Sequence, residues 1–222
     1  MGITVEFHDD GCALIRMKNG QNRWNLTTLN QLNNALDEVE RNRSASILVT
    51  TGEGKFYSNG LDLDWVNSIG RSSDAGRKFL ADLHDTLWRI MHFPIPTVAS
   101  INGHCFAAGA FLALCHDYRV MRSDRGWISW NETLISLRIT DSSILQRKLN
   151  PDALREIIFA KRLTGPEAVR LRIVDEIEDI SNLLSESKAF GFRALGNNVI
   201  KRTDLQNMKK DMIPRTIHES KL

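Results

Sequence analysis

Short buried strands that alternate with helices limit this chain to a small set of folds. The apolar run ASILVTT, residues 45–51, is followed by the loop GEGKFYSNGLDL and by a helix predicted over about residues 73–91. A break at FPIPT and a second apolar strand, TVASI, come next, so the order is strand, loop, helix, strand. Because parallel strands need such a crossover, this order predicts an α/β fold with a mainly parallel sheet and both faces covered.

The remaining segments predict a hairpin at the start of the chain and more helices towards its end. Ile3–Phe7 and Cys12–Met17 alternate in hydrophobicity around an Asp-Asp-Gly turn, which indicates two paired strands. Leu26–Arg41 carries leucines at helical spacing behind Asn25, a predicted N-cap. Later in the chain we predict an extended WISWN, helices over residues 151–160 and 166–171, a strand at IVDEI, and helix from Ser181 onward.

Length and composition fit a single large unit and argue against some functions. The chain has 222 residues, and we predict a core domain over residues 1–180 followed by a helical region over residues 181–222. Charged residues make up 25% of the chain and the formal net charge is +2, a balance that gives no support to nucleic-acid binding. No stretch approaches 18 consecutive apolar residues, so no membrane association is expected.

The spacing of cysteines and histidines predicts no metal site, because neither residue type shows paired ligand spacing. The three cysteines lie in apolar surroundings and are interpreted as buried thiols. The start of the chain lacks the basic and apolar regions of a secretory signal. At its end, Ser220, Lys221 and Leu222 match the address that the peroxisomal import receptor reads, so a soluble peroxisomal protein is expected.

Two glycine-containing loops share one design. SNGLDL, residues 58–63, and FAAGAFLAL, residues 106–114, each follow a predicted buried strand and lead into a helix, where the first N–H groups lack intrahelical partners. If the loops lie side by side, one N–H from each can stabilise negative charge that develops on a thioester or ester carbonyl. Gly60 and Gly109 would permit approaches that a Cβ blocks. For either loop alone, close packing of a helix on a sheet explains the small residues equally well.

Two polar side chains near these loops have opposite interpretations. Glu132 in WISWNETLISL has apolar neighbours on both sides, so desolvation would raise its pKa towards the range where it can take and return a proton. The alternative is an exposed glutamate at a strand end or helix cap. His116 follows the apolar helix of the second loop, and we interpret it as structural, because a histidine near a helix C-terminus suits the helix macrodipole.

Four segments together resemble the enoyl-CoA hydratase/isomerase (crotonase) superfamily. They are KFYSNGLDLDW, PIPTVASINGHCFAAGAFLALCHDYRVMRSDRG, NETLISL and LTGPEAVRLRIVDEI, and their order and spacing fit over roughly residues 3–180. Within the superfamily, the chain most resembles the peroxisomal Δ3,Δ2-enoyl-CoA isomerases of plant type. The resemblance implies a crotonase-like spiral of ββα units, a C-terminal helical region used in trimerisation, and a homotrimer or hexamer. It also implies an acyl-CoA thioester substrate, with coenzyme A as part of the substrate and no separate cofactor.

The resemblance also implies roles for individual residues. The two oxyanion N–H groups would come from Leu61 and Ala108, and the catalytic base would be Glu132. Arg23 and Trp24, in the loop NGQNRWN, would border coenzyme A. Further substrate contacts are expected in the two loops and beside the base, at Asn59, Gly60, Asp62, Leu63, Gly109, Phe111 and Asn131.

The identity of residue 111 selects among the reactions of the superfamily. The hydratases that the chain resembles hold the substrate between two glutamates, and the first of these positions is Phe111 here. Adding water needs a second carboxylate, whereas moving a double bond needs one base that takes a proton from C2 and returns it at C4. We therefore predict a Δ3,Δ2-enoyl-CoA isomerase. A weak hydratase or thioesterase and a non-catalytic acyl-CoA binder are the alternatives, the last because SLRIT, residues 136–140, departs from the Gly-Leu-x-Ile-Pro run of similar isomerases.

Overall fold

Two parallel-rich sheets organise the computed structural model, which describes residues 2–135 and 142–215. The strands in these two ranges are β1 (Ile3–Phe7), β2 (Cys12–Met17), β3 (Ile47–Gly52), β4 (Phe56–Ser58), β5 (Thr97–Ile101), β6 (His104–Phe106), β7 (Tyr118–Arg122), β8 (Ile128–Ser129) and β9 (Glu176–Glu178). The larger sheet has the order β1-β2-β3-β5-β7-β9, and the smaller has the order β4-β6-β8.

The larger sheet confirms the predicted hairpin and the predicted parallel pairing. Strands β1 and β2 pair antiparallel, with Ile3 opposite Met17, and every later neighbouring pair is parallel. The hairpin turns at Gly11, whose φ of 89° is a conformation that glycine adopts without strain.

Helices make up much of the rest of the described ranges. They are α1 (Leu26–Arg41), α2 (Leu63–Ile69), α3 (Asp74–Met91), α4 (Ala108–Cys115), α5 (Ser142–Lys148), α6 (Pro151–Ile158), α7 (Gly165–Arg170), α8 (Leu183–Leu195) and α9 (Arg202–Met212), and a 3-10 turn spans Glu132–Ile135. No helix in this part of the chain is both long and apolar enough to cross a membrane.

Helix α1 has the boundaries that its sequence pattern predicts. The Asn25 side chain accepts a hydrogen bond from the Thr28 backbone N–H at 3.1 Å, which satisfies one free donor of the first turn. The buried face then follows the spacing Leu29, Leu32 and Leu36, each at most 1% exposed. Capping and hydrophobic periodicity therefore agree, and the prediction is confirmed.

In the smaller sheet only β8 lies in a segment predicted as extended, WISWN, and the sheet itself was not predicted. Its strands β4, β6 and β8 have three, three and two residues, too few to show an alternating pattern, and β4 lies within the stretch predicted as a loop. Each follows a strand of the larger sheet, and helices α2 and α3 follow β4 while α4 follows β6. Repeated units of one strand in each sheet and then a helix confirm the spiral of ββα units.

Both faces of the central strands of the larger sheet are buried, as predicted for parallel strands. On β3, Leu48 faces the main core, whereas Ile47 and Val49 face a second apolar cluster. Helix α8 covers that second cluster with Leu183, and a Cβ on Gly191 would stand 3.1 Å from the Ile47 side chain. A small residue at position 191 therefore lets the helix lie close to the sheet.

Helix α9 lies across the domain and is held by charged side chains. It has no buried residue, but Arg202 donates to backbone carbonyls of Glu40 and Asn42 at the end of α1. Lys209 lies 2.6 Å from an Asp117 carboxylate oxygen and donates to the Phe93 carbonyl at 3.0 Å. Electrostatic contacts therefore fix α9 where apolar burial does not.

Candidate active site

The two glycine loops lie side by side at the ends of β4 and β6. Gly60 has a φ of 78°, and a Cβ there would stand 3.0 Å from the Ala107 Cβ and 3.3 Å from the Ala108 nitrogen. A Cβ on Gly109 would stand 2.6 Å from the Ser58 carbonyl oxygen. A Cβ on Gly109 would force its neighbours to shift, and one on Gly60 would be tight and strained by the positive φ, so both glycines permit a close approach, as expected.

Leu61 lies between two peptide groups that pair with Trp24. The Trp24 N–H donates to the Gly60 carbonyl at 2.8 Å, and the Asp62 N–H donates to the Trp24 carbonyl at 2.9 Å. In this parallel bridge, the N–H of Leu61 itself points away from Trp24. It has no acceptor within residues 2–135 and 142–215, so it can donate to a ligand oxygen.

Ala108 supplies a second unpaired N–H, since the described residues offer it no acceptor either. It is the first residue of α4, where backbone N–H groups have no intrahelical partner. The preceding Ala107 has φ 50° and ψ −122°, uncommon values for a residue with a side chain. Its N–H donates to the Ser129 carbonyl at 2.9 Å, and its carbonyl accepts the Phe111 N–H at 3.0 Å. These bonds hold the strained residue and so fix the direction of the Ala108 N–H.

Glu132 begins the 3-10 turn, three residues after Ser129 and directly after the half-buried Asn131. Its Oε2 atom is buried and has no hydrogen-bond partner among the described residues. Burial raises the pKa of the Glu132 carboxyl above its ordinary value of 4.5, because desolvation disfavours the charged form. The exposed-cap interpretation does not fit this environment. An unpaired, partly desolvated carboxylate costs stability, so it indicates a functional site.

An aromatic pair lies beside these groups. Phe111, one turn after Ala108 on α4, is 5% exposed. Its ring meets that of Trp130 edge to face, with centroids 6.2 Å apart and an interplanar angle of 89°. Trp130 is fully buried and precedes Glu132 by two residues. The pair therefore connects the first turn of α4 to the segment that carries the carboxylate.

The other predicted contacts of the first loop have partners within the protein. The Asn59 side-chain amide donates to the Gln21 side-chain oxygen at 2.7 Å. Asp62 caps α2, and its second carboxylate oxygen accepts from the Asn25 side chain at 3.1 Å. Leu63 is half-buried at the start of α2. Asn59 and Asp62 thus hold the shape of the loop.

Arg23 and Trp24 differ in what they can contact. Arg23 is half-buried, with its guanidinium 3.9 Å from Asp64, so it can meet a ligand from the solvent side. Trp24 is 1% exposed and packs in the main core. The expectation of a ligand contact by the Trp24 side chain is therefore corrected. Trp24 acts on the loop through its backbone bridge to Leu61.

Two buried residues that the sequence analysis missed also hold the first loop. The Ser58 hydroxyl donates to the Asn22 carbonyl at 2.7 Å and accepts the Gly60 N–H at 3.3 Å. Asn22 has a φ of 50°, and its side-chain amide donates to the Tyr57 carbonyl at 3.1 Å. Asparagine tolerates this conformation, so its place in NGQN was a usable turn signal. The burial of Ser58 has no local signal.

His116 is structural, but not for the reason that the sequence suggested. It is fully buried, lies 2.9 Å from the Thr50 hydroxyl and 2.8 Å from the Leu112 carbonyl, and burial lowers its pKa to about 4. A neutral imidazole cannot complement the macrodipole of α4. Lys148 and Arg119 do so instead, since both donate to the His116 carbonyl.

Two features of the sequence lie outside the described residues. They are the departure SLRIT, residues 136–140, and the C-terminal tripeptide Ser220, Lys221 and Leu222.

Comparison with known proteins gives consistent matches across the chain. A sequence model of the family described as enoyl-CoA hydratase/isomerase matches residues 8–212. Enoyl-CoA delta isomerase 2, peroxisomal, of Arabidopsis thaliana is 34% identical over 180 residues, which is 78% of this chain and 75% of the relative. Enoyl-CoA delta isomerase 3 of the same organism is 35% identical over 178 residues, with the same coverage of 78% and 75%.

A solved structure agrees with the architecture described above. The crystal structure of a probable enoyl-CoA hydratase from Mycobacterium tuberculosis H37Rv has a TM-score of 0.85 to this chain. The two are 25% identical in sequence, and the superposition covers 96% of this chain and 88% of the other. The match extends over nearly the whole fold.

Proposed function

The chain belongs to the enoyl-CoA hydratase/isomerase family, and from this premise we propose that it is a Δ3,Δ2-enoyl-CoA isomerase. It moves a 3-cis or 3-trans double bond of a fatty acyl-CoA to the 2-trans position during β-oxidation of unsaturated fatty acids. Two of the similar Arabidopsis proteins carry the name enoyl-CoA delta isomerase, which supports the reaction class.

The environment of Glu132 is the observation that carries the proposal. Its Oε2 atom is buried and has no hydrogen-bond partner within residues 2–135 and 142–215, and burial raises the pKa of the group, so it is a stronger base than an exposed glutamate. In the proposed reaction Glu132 takes a proton from C2, next to the thioester carbonyl. It returns the proton at C4, and the double bond then lies between C2 and C3.

The two unpaired N–H groups have a role in the same reaction. Loss of the C2 proton places negative charge on the thioester oxygen, and the N–H groups of Leu61 and Ala108 donate to it. Support comes from the proximity of the loops, since a Cβ on Gly60 would stand 3.3 Å from the Ala108 nitrogen. Preorganised donors of this kind stabilise the transition state because they need not reorient during the reaction.

Phe111 favours isomerisation over hydration. Hydration needs a second polar group that holds a water molecule, but Phe111 is apolar, buried and packed against Trp130. Water is thereby kept from the face of the substrate opposite Glu132, so the dienolate takes the proton back from Glu132 at C4 and the 2-enoyl product is not hydrated.

Location and assembly are part of the same proposal. The C-terminal Ser220, Lys221 and Leu222 would be read by the peroxisomal import receptor, and the name of one similar protein includes the word peroxisomal. We propose that the protein works as a homotrimer or hexamer in peroxisomes, with the region over residues 181–222 contributing to assembly. Coenzyme A is then part of the substrate, and no separate cofactor takes part.

Product analysis tests the proposed reaction. Purified protein is incubated with 3-hexenoyl-CoA, and the position of the double bond is read by NMR. A 2-trans product supports the proposal, whereas free coenzyme A would identify a thioesterase. Because water adds only to the conjugated double bond, 2-trans-hexenoyl-CoA is supplied in parallel, and a 3-hydroxyacyl-CoA formed from it but no product from 3-hexenoyl-CoA would identify a hydratase. Binding without any product would identify an acyl-CoA binder. Glu38→Gln, on the exposed side of α1, serves as the control for the loss of one carboxylate.

A further inference from the structure

The peptide group that joins Gly60 to Leu61 is held at its carbonyl. Because a trans peptide group is planar, its C=O and N–H point in opposite directions, and fixing one fixes the other. The Gly60 carbonyl accepts the Trp24 N–H at 2.8 Å. The direction of the Leu61 N–H therefore depends on where the backbone of Trp24 lies.

Asn22 fixes the backbone two residues before Trp24. It is 3% exposed, and its side-chain amide donates to the carbonyls of Phe56 and Tyr57 in β4 at 3.2 and 3.1 Å. Its side-chain oxygen accepts the Asn19 N–H at 2.9 Å. With three hydrogen bonds to backbone groups, this one side chain holds the segment before Trp24 against β4.

A second route leads from Asn22 to the same peptide group through Ser58. The buried Ser58 hydroxyl donates to the Asn22 carbonyl at 2.7 Å and accepts the Gly60 N–H at 3.3 Å. Gly60 is thus bonded at its N–H by Ser58 and at its carbonyl by Trp24. Because glycine has little conformational preference of its own, these bonds set the geometry of Gly60 at its φ of 78°.

We propose that Asn22 and Ser58 are positioning residues for the oxyanion donor of Leu61. Both are buried, and they act on the thioester oxygen through the peptide group between Gly60 and Leu61. This inference rests on the proposed role of that N–H in the reaction. The donor acts mainly on charge that develops in the transition state, so loss of either side chain should lower kcat and change KM little.

Ser58→Ala and Asn22→Gly test the inference. Ser58→Ala removes one hydroxyl from the loop, and Asn22→Gly removes the amide while glycine still adopts the φ of 50° found at residue 22. With 3-hexenoyl-CoA, each variant should lose at least about tenfold in kcat, because a misplaced donor stabilises the oxyanion poorly. The KM of each should stay within about threefold of the wild-type value.

Asn102→Ala is the matched control for the loss of a buried amide. The Asn102 side chain accepts the Gly52 N–H at 2.9 Å and donates to the Gly54 carbonyl at 3.0 Å, before the start of β4 and away from the loop. This variant should lose stability in thermal unfolding and keep the wild-type kcat. A loss of kcat as large as in the two test variants would overturn the positioning role.

Bound acetoacetyl-CoA gives a second readout that needs no turnover. This thioester loses its C2 proton readily, and the resulting enolate, which is seen by its ultraviolet absorbance, places negative charge on the thioester oxygen. Wild type and Asn102→Ala should bind it largely as the enolate. Ser58→Ala and Asn22→Gly should bind it with a smaller enolate fraction at the same pH.

The two ideas fail in different ways. Test variants with the wild-type kcat and enolate fraction would overturn the positioning role and leave the isomerase intact. A wild type that binds acetoacetyl-CoA without forming enolate would remove the oxyanion donors and the positioning role together. An enolate fraction that depends on Asn22 and Ser58, in a protein that does not isomerise 3-hexenoyl-CoA, would support the positioning role and remove only the proposed reaction.

Discussion

Gly60 and Ala108, 48 positions apart in the sequence, lie so close that a methyl group on Gly60 would stand 3.3 Å from the Ala108 nitrogen. The contact joins the loop after β4 to the start of α4, and it brings together the two loops whose Leu61 and Ala108 N–H groups have no acceptor in the described part of the chain. The proposed stabilisation of the thioester oxyanion depends on this single approach.

Gly60→Ala should therefore damage activity more than stability. The new methyl group would push the loops apart, and misplacing one donor of the pair costs about 100-fold in kcat. The strain of a positive φ and the 3.0 Å contact with Ala107 add about 1–3 kcal/mol of lost stability. Gly54→Ala is a matched control, since Gly54 has the same φ of 78° with no atom within 4 Å of the added group. Equal loss of kcat in both variants would count against the role of the loop contact.

The pH dependence of kcat/KM should report the ionisation of Glu132. Only the ionised carboxylate accepts a proton, so the rate should rise with pH and level off above the pKa of Glu132. Because burial raises that pKa, the midpoint should lie above 4.5. The control variant Glu38→Gln should give the same pH profile as wild type. A profile with its midpoint at or below 4.5 would mean that a different group is titrating.

Glu132→Gln should be at least as stable as wild type at neutral pH. A raised pKa in the folded state means that the native protein binds the proton more tightly than the unfolded chain. Wild type therefore loses stability as the pH rises from the pKa of Glu132 in the unfolded chain through its pKa in the folded protein. The glutamine variant has no such carboxyl group and shows no such loss. The free energy of unfolding is measured in urea at pH 4 and pH 7 for both proteins. The difference, variant minus wild type, should be larger at pH 7 than at pH 4, by on the order of 1 kcal/mol or less. A relative stability that decreases with pH would contradict the environment described for Glu132.

Lys209→Ala should release helix α9. Lys209 is 11% exposed at its side chain, and its ammonium group lies 2.6 Å from the Asp117 carboxylate. Removal leaves a carboxylate that still accepts the Thr97 N–H at 2.8 Å but has lost its cation, at a cost of about 2 kcal/mol. Thermal unfolding checks this, with the exposed neighbour Lys210→Ala as control. Equal melting temperatures for the two variants would show that the ion pair does not hold the helix.

The parts of the fold that the sequence predicted are those with local signals. Asn25 and the leucines of α1 mark that helix in their own segment, and the continuous apolar run marks β3. The three-residue strand β4 is too short to show an alternating pattern, and its segment was predicted as a loop. The neutral state of His116 and the burial of Trp24 depend on residues far away in the chain. Local patterns therefore suggested a charged histidine at a helix end and a tryptophan that contacts a ligand, and both interpretations were wrong.

In the candidate site, too, the features with local sequence signals were predicted and the long-range contacts were not. Small residues after strands indicated the two loops, and apolar neighbours indicated the raised pKa of Glu132. Three contacts of the site join segments that are far apart in the sequence, so no local pattern predicts them. They are the proximity of Gly60 to Ala107, the hydrogen bond from Ala107 to Ser129 and the ring contact of Trp130 with Phe111.

The measurement that tests the central claim most directly is the rate of isomerisation of 3-hexenoyl-CoA by wild type and Glu132→Gln under identical conditions. Glutamine keeps the size and polarity of the side chain but cannot accept the C2 proton. We predict a loss of at least about 100-fold in kcat, with the thioester still bound. A glutamine variant that isomerises at close to the wild-type rate would contradict the assignment of Glu132 as the base.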